Sequence, residues 1–299
     1  MSSMTPQQAA DLFRSEPDRY LPMGEGPNAG EVSYRCAGQG PDVLFVHGWP
    51  VSGATFRTLL PHLVDHVTCH VVDLLGAGSS RFNAGTTLSV ERHIATVREV
   101  VDQLELNEVA VVGHNSGGLI ARHAMAGDGR LRSMGLVNTE QSQGLSWRFK
   151  MFIGGRNLPG FGSALGWVAG RPRLRRIPFV LGDAFADSSL LDGEFDEFFL
   201  RPLNTSAAHR DAAIRILRTF DRSHVDELAG LHQRIEVPVQ LVWGDQDPFF
   251  PVEWARDMVS TFPDARLTEI PGAGLFSHEE RPAEVASALL PVLTGSGAD

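Results

Sequence analysis

The feature that most constrains this chain is the octapeptide VVGHNSGG at positions 111–118, where a β-branched run changes abruptly into glycines. A strand that ends near Gly113 and a helix that starts near Gly117 leave room for only a tight turn between them. Such a turn is typical of a nucleophile presented at the end of a parallel sheet. Here the residue at its apex is Asn115, an amide.

Short apolar runs alternate with longer helical patterns along most of the chain. The runs are EVSYRCA, DVLFVH, CHVVDLL, EVAVVGH and SMGLVNT, and the rhythm resumes with VPVQLVWG and ARLTEI near the end. Strands that alternate with helices predict an α/β fold, with a doubly wound and mainly parallel sheet covered on both faces.

One long segment does not follow this rhythm. Residues 141–232 are rich in Gly, Phe, Arg and Leu, show helical spacing in AAHRDAAIRILRTF, and contain no clear strand. We expect them to form a helical cap over the carboxyl ends of the strands, where open α/β sheets bind ligands. The predicted organisation is an N-terminal extension over 1–30, a core made of 31–140 and 233–299, and the cap.

Charge and composition narrow the class of partner. The chain of 299 residues carries a formal net charge of -10, which argues against nucleic acid or an anionic membrane as the main partner and favours a small neutral or modestly polar ligand. No long apolar span occurs, and the N-terminus is charged, so we expect a cytoplasmic protein. The two cysteines, Cys36 and Cys69, lie in strand-like runs and suggest neither a disulfide nor a metal site. We expect no cofactor, and the oligomeric state stays open.

Four motifs together resemble the α/β-hydrolase superfamily. Besides the turn at Asn115 they are His47-Gly48-Trp49-Pro50, the stretch DLLGAGSS at 73–80, and Gly244-Asp245-Gln246-Asp247-Pro248. HGWP and GHNSGG look most like the haloalkane dehalogenase and epoxide hydrolase branch, whose apex residue is Asp. The resemblance implies the α/β-hydrolase fold with a helical cap inserted after the sixth strand. It also implies an apex carboxylate that forms an alkyl ester, which a His-activated water then hydrolyses.

The resemblance assigns roles around the turn. Asn115 stands at the nucleophile position, but an amide oxygen carries no formal charge and is a much poorer nucleophile than a carboxylate. Ser116 and Trp49 correspond to the backbone N–H donors of an oxyanion hole, which we favour over Ser116 as a replacement nucleophile. His47 and His114 flank these loops and are expected to hold turns, with His114 bordering the substrate pocket.

At the family's histidine position this chain has another residue, and two carboxylates are candidates for the acid. The family's catalytic His corresponds to Leu275 in the stretch GLFSHEE, and His278 follows three residues later. His278 is either a displaced base or a surface histidine at the start of a helix. For the acid that orients a histidine, Asp247 is favoured, and Glu140 at the end of GLVNTE is the alternative.

Three functions remain open from the sequence. The first is a hydrolase for a small apolar substrate, with chemistry impaired or altered by Asn115 and Leu275. The second is a pocket protein without catalysis, either a pseudoenzyme or a ligand binder. The third is a lyase, isomerase or cyclase that transfers protons, with His278 or a carboxylate as base. The residues expected to line the pocket are His114, Trp147, Trp167, Leu275 and Phe276.

Overall fold

A computed structural model describes residues 4–295, and its centre is one eight-stranded sheet. The strands are β1 (Arg19–Met23), β2 (Gly30–Gly38), β3 (Asp42–Val46), β4 (Thr68–Asp73), β5 (Val109–His114), β6 (Leu131–Val137), β7 (Val239–Gly244) and β8 (Ala265–Ile270). Their order across the sheet is β1-β2-β4-β3-β5-β6-β7-β8. All neighbours from β4 to β8 are parallel, while β1 and β2 are added antiparallel at one edge. The predicted doubly wound, mainly parallel sheet is confirmed.

Helices cover both faces of this sheet. They are α1 (Pro6–Arg14), α2 (Leu60–Leu63), α3 (Val90–Gln103), α4 (Ser116–Met125), α5 (Trp147–Gly154), α6 (Phe161–Ala169), α7 (Pro172–Arg175), α8 (Arg201–Thr205), α9 (Ala207–Thr219), α10 (Ser223–Asp226), α11 (Leu228–His232), α12 (Val252–Met258), α13 (Ser277–Glu280) and α14 (Pro282–Thr294). Short 3₁₀ turns occur at Gly26–Asn28, Gly53–Thr58, Gly182–Ala184, Ser188–Leu191 and Val259–Thr261, and a π turn at Asp196–Leu200. In residues 4–295, no helix combines the length and apolar character that crossing a bilayer would require.

Residues 6–23 contain α1 and β1, which add to one edge of the molecule. β1 pairs along its whole length with β2, and α1 buries Ala9, Ala10 and Phe13. Thr5 caps α1 through a reciprocal capping box with Gln8, which satisfies amides that the helix itself leaves free. α1 and β1 thus pack against the rest of the sheet layer, and the predicted bounds of the N-terminal extension, core and cap stay a prediction.

All regular elements between β6 and β7 are helical. We call residues 141–232 the cap segment; it contains α5 to α11 and no strand. Its sequence has few of the consecutive β-branched residues that favour strands, and Ser146 and Ser206 cap two of its longer helices by accepting backbone N–H groups.

Both ends of the cap segment are bonded to one side chain of the core. Arg122 on α4 is fully buried and donates from Nη2 to the carbonyl oxygen of Glu140 at 2.7 Å. Its Nη1 donates to Nε2 of His232, the last residue of the segment, at 3.1 Å. Burial lowers the pKa of Arg122 to about 10, so the guanidinium is still charged at neutral pH.

Candidate active site

The turn between β5 and α4 is held by close backbone packing. Asn115 has φ 52° and ψ −137°, a backbone conformation that residues other than glycine rarely adopt. A Cβ on Gly117 would lie 2.1 Å from the carbonyl oxygen of Val46, and one on Gly113 would lie 2.5 Å from Cα of Gly118. Glycine is therefore required on both sides of the apex, and β3, β5 and α4 fix the position of Asn115.

The side chain of Asn115 is oriented by two backbone amides. Its Oδ1 accepts from the N–H of Ser116 at 2.7 Å and from the N–H of Trp49 at 3.2 Å. Two N–H donors at one atom identify that atom as the oxygen, so Nδ2 must point away from them. This NH₂ group has no hydrogen-bond partner among residues 4–295, and Asn115 borders a cavity. The turn thus presents a donor to the cavity instead of a carboxylate.

Trp49 and Ser116 do converge on one point beside the apex. That point is occupied by Oδ1 of Asn115 itself, and the N–H of Trp49 also donates to Oγ of Ser116 at 3.0 Å. No histidine hydrogen-bonds to Oγ of Ser116 in the described chain, so this hydroxyl lacks the base that would activate it. The oxyanion-hole role of the two amides stays a prediction.

The cavity beside Asn115 has a volume of about 90 Å³ and walls that are almost entirely apolar. Its lining comprises Trp49, Pro50, Val90, Asn115, Ser116, Ile120, Glu140, Phe149, Phe152, Leu181, Ala184, Ile216, Leu217, Phe220, Phe249, Phe250, Leu275 and Phe276. Leu275 and Phe276 are among these residues, and their role as substrate contacts stays a prediction. Glu140 is the only ionisable residue among them, and no histidine lines the cavity.

Glu140 is 2% exposed, and its environment disfavours ionisation. Burial raises the pKa of this carboxyl, although the charge of Arg122 and a bond to Thr139 oppose the shift. Oε2 of Glu140 lies 3.0 Å from Oγ1 of Thr139, which is also 2.7 Å from the carbonyl oxygen of Asn115. Since a hydroxyl has a single proton, Thr139 cannot donate to both acceptors at once. Thr139 also accepts from Nη2 of Arg122 at 3.0 Å, so this hydroxyl links the turn, Glu140 and the buried guanidinium.

Asp247 lies outside this cavity, and its carboxyl group is hydrogen-bonded to two backbone N–H groups and one side-chain amide. Its Oδ1 accepts from the N–H groups of Phe249 and Phe250 at 2.8 and 3.1 Å, and Oδ2 accepts from Nδ2 of Asn138 at 2.8 Å. Burial raises the pKa of Asp247 to about 7 despite these bonds. No histidine is hydrogen-bonded to it, so the predicted role of orienting a catalytic histidine has no partner here.

His278 is neither a surface residue nor a partner of Asp247. The ring is fully buried on α13, and Nε2 lies 2.8 Å from Oγ1 of Thr55. Because Thr55 donates to Glu279 at 3.1 Å, His278 must donate from Nε2 to Thr55, which leaves its buried Nδ1 without a partner. Burial, with the neighbouring His114 and Arg57, lowers the pKa of His278 well below its usual value. A ring held in this way does not reach the cavity.

Other predicted pocket residues also lie elsewhere. His114 is fully buried behind the turn, where Nε2 donates to the carbonyl oxygen of Leu275 at 3.0 Å and the ring centroid lies 4.3 Å from that of His278. Trp147 and Trp167 are 64% and 51% exposed on the outer surface of the cap segment and do not border the cavity. On α5 the residues that face the cavity are instead Phe149 and Phe152.

Sequence reasoning missed four phenylalanines of the cavity wall, namely Phe149, Phe220, Phe249 and Phe250. Phe149 and Phe152 come from α5, and Phe249 and Phe250 follow Asp247. The spacing of three between Phe149 and Phe152 places them on one helix face, and this is the signal that could have identified them.

A second cavity, of about 270 Å³, shares Trp49 and Ser116 with the first. It is larger and more polar, with Arg35, Asp73 and His209 in its wall. Neither Asn115 nor Glu140 borders it. We therefore take the smaller cavity as the candidate active site, because it contains the apex residue and the only buried carboxyl beside it.

Comparison with known proteins agrees with this architecture. The family described as alpha/beta hydrolase fold matches residues 41–282. The chain is 27% identical over 273 residues to haloalkane dehalogenase 2 of Mycobacterium tuberculosis, covering 87% of this chain and 91% of that protein. It is 26% identical over 260 residues to the magnesium-chelatase 30 kDa subunit of Rhodobacter capsulatus, covering 86% and 88%. A solved epoxide hydrolase superposes with a TM-score of 0.74 at 20% identity, covering 93% of this chain and all of that one.

Proposed function

Since this chain belongs to the alpha/beta hydrolase fold family, we propose that it transfers protons on a small, uncharged, mostly apolar substrate without forming a covalent ester. Support comes from one observation: Asn115 and Glu140 border one cavity whose other walls are mostly apolar. The relatives named as hydrolases make hydrolysis the reference reaction. This chain departs from the covalent form of that reaction at Asn115 and Leu275.

The proposed step needs only these two residues. The carboxylate of Glu140 removes a proton from a carbon next to a carbonyl group. The C–H electron pair becomes the C=C bond of an enolate, and the negative charge moves to the oxygen, which accepts a hydrogen bond from Nδ2 of Asn115. Glu140, now a carboxylic acid, returns the proton to another atom of the same substrate. Nothing is oxidised or reduced, and no co-reactant is consumed.

The electrostatics of the cavity suit this role. A general base works best when its pKa lies near the working pH, and burial raises the pKa of Glu140 toward that range. The apolar walls exclude water and strengthen the bond between a developing oxyanion and Asn115. An anionic substrate is disfavoured because it would be buried beside an acidic side chain.

The proposal can be tested with 5-nitrobenzisoxazole, whose ring opens when a base removes the C3 proton and the N–O bond breaks. We expect catalysis above that of free carboxylate in solution, and a loss of about 100-fold or more in Glu140→Gln, as is typical of removing a general base. The phenolate product is followed by absorbance. Asn115→Ala should lower the rate less, since it removes one donor to the leaving oxygen.

Asp247→Asn is the contrasting variant, because Asp247 lies outside the cavity. It should retain the ring-opening rate, provided that circular dichroism shows a folded protein. Equal rates in the unmodified protein and Glu140→Gln would reject Glu140 as the base. Halide release from 1-bromohexane by the unmodified protein would instead support hydrolysis through a covalent alkyl ester.

A further inference from the structure

The outer surface of the cap segment is unusual in both polarity and charge. Seven large apolar side chains are exposed in the described chain, and six of them lie between residues 147 and 179. They are Trp147, Met151, Leu158, Trp167, Ile177 and Phe179. A concentration of this kind in a short segment marks an interaction surface, whereas scattered exposed apolar residues do not.

The same segment reverses the charge of the chain. Residues 141–182 contain seven Arg or Lys residues and no Asp or Glu. Since the whole chain carries -10, the remainder carries -17. Arg148, Arg175 and Arg176 are ion-paired with acidic residues that follow this stretch. Lys150, Arg171 and Arg173 are exposed and form no ion pair with residues 4–295. Arg171 also lies over the ring of Trp167, with its guanidinium carbon 4.0 Å from the ring centroid.

Helix α5 connects this surface to the cavity. Phe149 and Phe152 on its inner side line the cavity, while Trp147 and Met151, four residues apart, lie on its outer side. Phe179 packs against Trp147 with ring centroids 5.9 Å apart, and Leu181, two residues further on, borders the cavity. Trp147, Met151 and Phe179 therefore lie on the outside of the cavity wall. We call Trp147, Lys150, Met151 and Phe179 the cap face.

We propose that the cap face docks onto the surface of an anionic lipid bilayer. Tryptophan and phenylalanine beside arginine and lysine are the side chains that settle at the boundary between headgroups and acyl chains. The basic segment is attracted to anionic headgroups, and the acidic remainder is repelled, so the charge distribution also orients the molecule. A second copy of the chain is disfavoured as the occupant, because two such basic faces would repel each other.

The charge of the whole chain suggests the opposite conclusion, since a net -10 disfavours anionic surfaces. Electrostatic attraction depends on charges within about 10 Å at ordinary salt, however, and not on the sum over the molecule. The local charge at the cap face therefore decides the interaction. This docking is independent of the reaction at Glu140, because no residue of the cap face borders the cavity.

The test is co-sedimentation of the full chain with phosphatidylcholine vesicles that contain or lack phosphatidylglycerol, at low and high salt. We expect binding only to the anionic vesicles, with a loss in high salt. The double variant Trp147→Ser, Phe179→Ser and the single variant Lys150→Glu should each lower the partition coefficient, the former by about tenfold or more. Tryptophan emission should shift to shorter wavelength on binding.

Leu190→Ser is the matched control, because Leu190 is the seventh exposed apolar residue and lies outside the basic stretch. It should bind as the unmodified protein does. Absence of binding to anionic vesicles would overturn the proposal, as would equal binding by the Trp147→Ser, Phe179→Ser variant. A dimer in sedimentation velocity that the same double variant dissociates would assign the cap face to a second copy of the chain.

Discussion

The turn at Asn115 and the loop at Leu275 border the same cavity, but different parts of the molecule hold them. The turn has a positive φ at its apex and glycines whose Cβ positions are blocked by the backbone of the core. In the loop, a Cβ on Gly274 would lie 2.7 Å from the carbonyl oxygen of Ala184 in the cap segment, and the carbonyl oxygen of Leu275 accepts one hydrogen bond from His114.

The comparison separates the backbone positions that packing fixes from the side chains that determine the chemistry. The turn is required by the close contact of β3, β5 and α4, so its backbone persists whether the apex is a carboxylate or an amide. The loop is packed against β7 and the cap segment through the backbone of Ala273 and Gly274, while the apolar side chain of Leu275 completes the cavity wall. The backbone of an active site can therefore be retained after its reactive groups have changed.

The largest effect is expected from restoring both reactive groups at once. Asn115→Asp supplies a charged nucleophile and Leu275→His supplies a base in the same cavity, where Glu140 is available to orient it. Because the two groups act in successive steps, the double variant should release bromide from 1-bromohexane at least about a thousandfold faster than either single variant. Ion chromatography measures the halide.

The single variants sharpen the interpretation. Asn115→Asp alone should accumulate an alkyl ester on the turn peptide, visible as a mass increase, because no histidine reaches the cavity. Rapid turnover by that single variant would contradict this reasoning and identify His278 as a working base.

A large loss of stability is expected from Gly117→Ala. The added methyl group would lie 2.1 Å from the carbonyl oxygen of Val46, so strand or helix must move. We expect the free energy of unfolding to fall by about 3 kcal/mol, as for other overpacked sites, in urea denaturation. Gly230→Ala in α11 is the matched control, because its Cβ would meet nothing within 4 Å. A similar loss in both variants would mean that packing at the turn is not the cause.

A moderate effect is expected from acid. Burial lowers the pKa of His114 to about 3 and of His93 to about 4, and that of His278 well below 6.5. Below about pH 6.5 the unfolded chain binds protons that these folded residues do not, so stability should fall as the pH decreases. Each such histidine adds up to about 1.4 kcal/mol per pH unit.

The contribution of His278, which follows the loop, to the pH dependence of the unfolding free energy can be measured separately from that of His114, which precedes the turn. His278→Gln should make the dependence of unfolding free energy on pH less steep between about pH 6.5 and 4. The exposed His62→Gln should leave the slope unchanged. An unchanged slope in His278→Gln would show that its ring is protonated in the folded protein.

The smallest effect is expected from Leu275→Met. The side chain is 5% exposed, and methionine has a similar volume and a flexible shape, so the cost should stay below about 1.5 kcal/mol. Thermal unfolding measures it. A loss as large as that of Gly117→Ala would remove the distinction between the two regions.

Much of the fold was predictable because it depends on local patterns. The alternating apolar runs located β2 to β8, and the glycine spacing located the turn at Asn115. β1 was missed because RYLPM has no clear alternation and contains Pro22, which strands tolerate mainly at a sheet edge, where β1 lies.

The site was predictable where a residue's position follows from its place in a motif. Asn115, Ser116, Trp49, Glu140, Leu275 and Phe276 all border the cavity. The positions of Asp247 and His278 depend on the paths of two loops, which a shift of a few residues changes completely. The positions of Trp147 and Trp167 depend on which face of an apolar helix turns inward, and WRFKMF is apolar on both faces.

The two hydrogen bonds from Arg122 to Glu140 and His232 have a mechanical consequence. Both roots of the cap segment are attached to one guanidinium on the helix that begins at the turn, so they share a common pivot. Lifting the cap segment away from α4 would break both bonds and leave a fully buried cation with fewer partners, which is unfavourable even though Gly118 and Thr139 also accept from it. The root beside Glu140 is therefore held in register with the turn, because one guanidinium is bonded both to Glu140 and to the carbonyl oxygen of Gly118 at the start of α4.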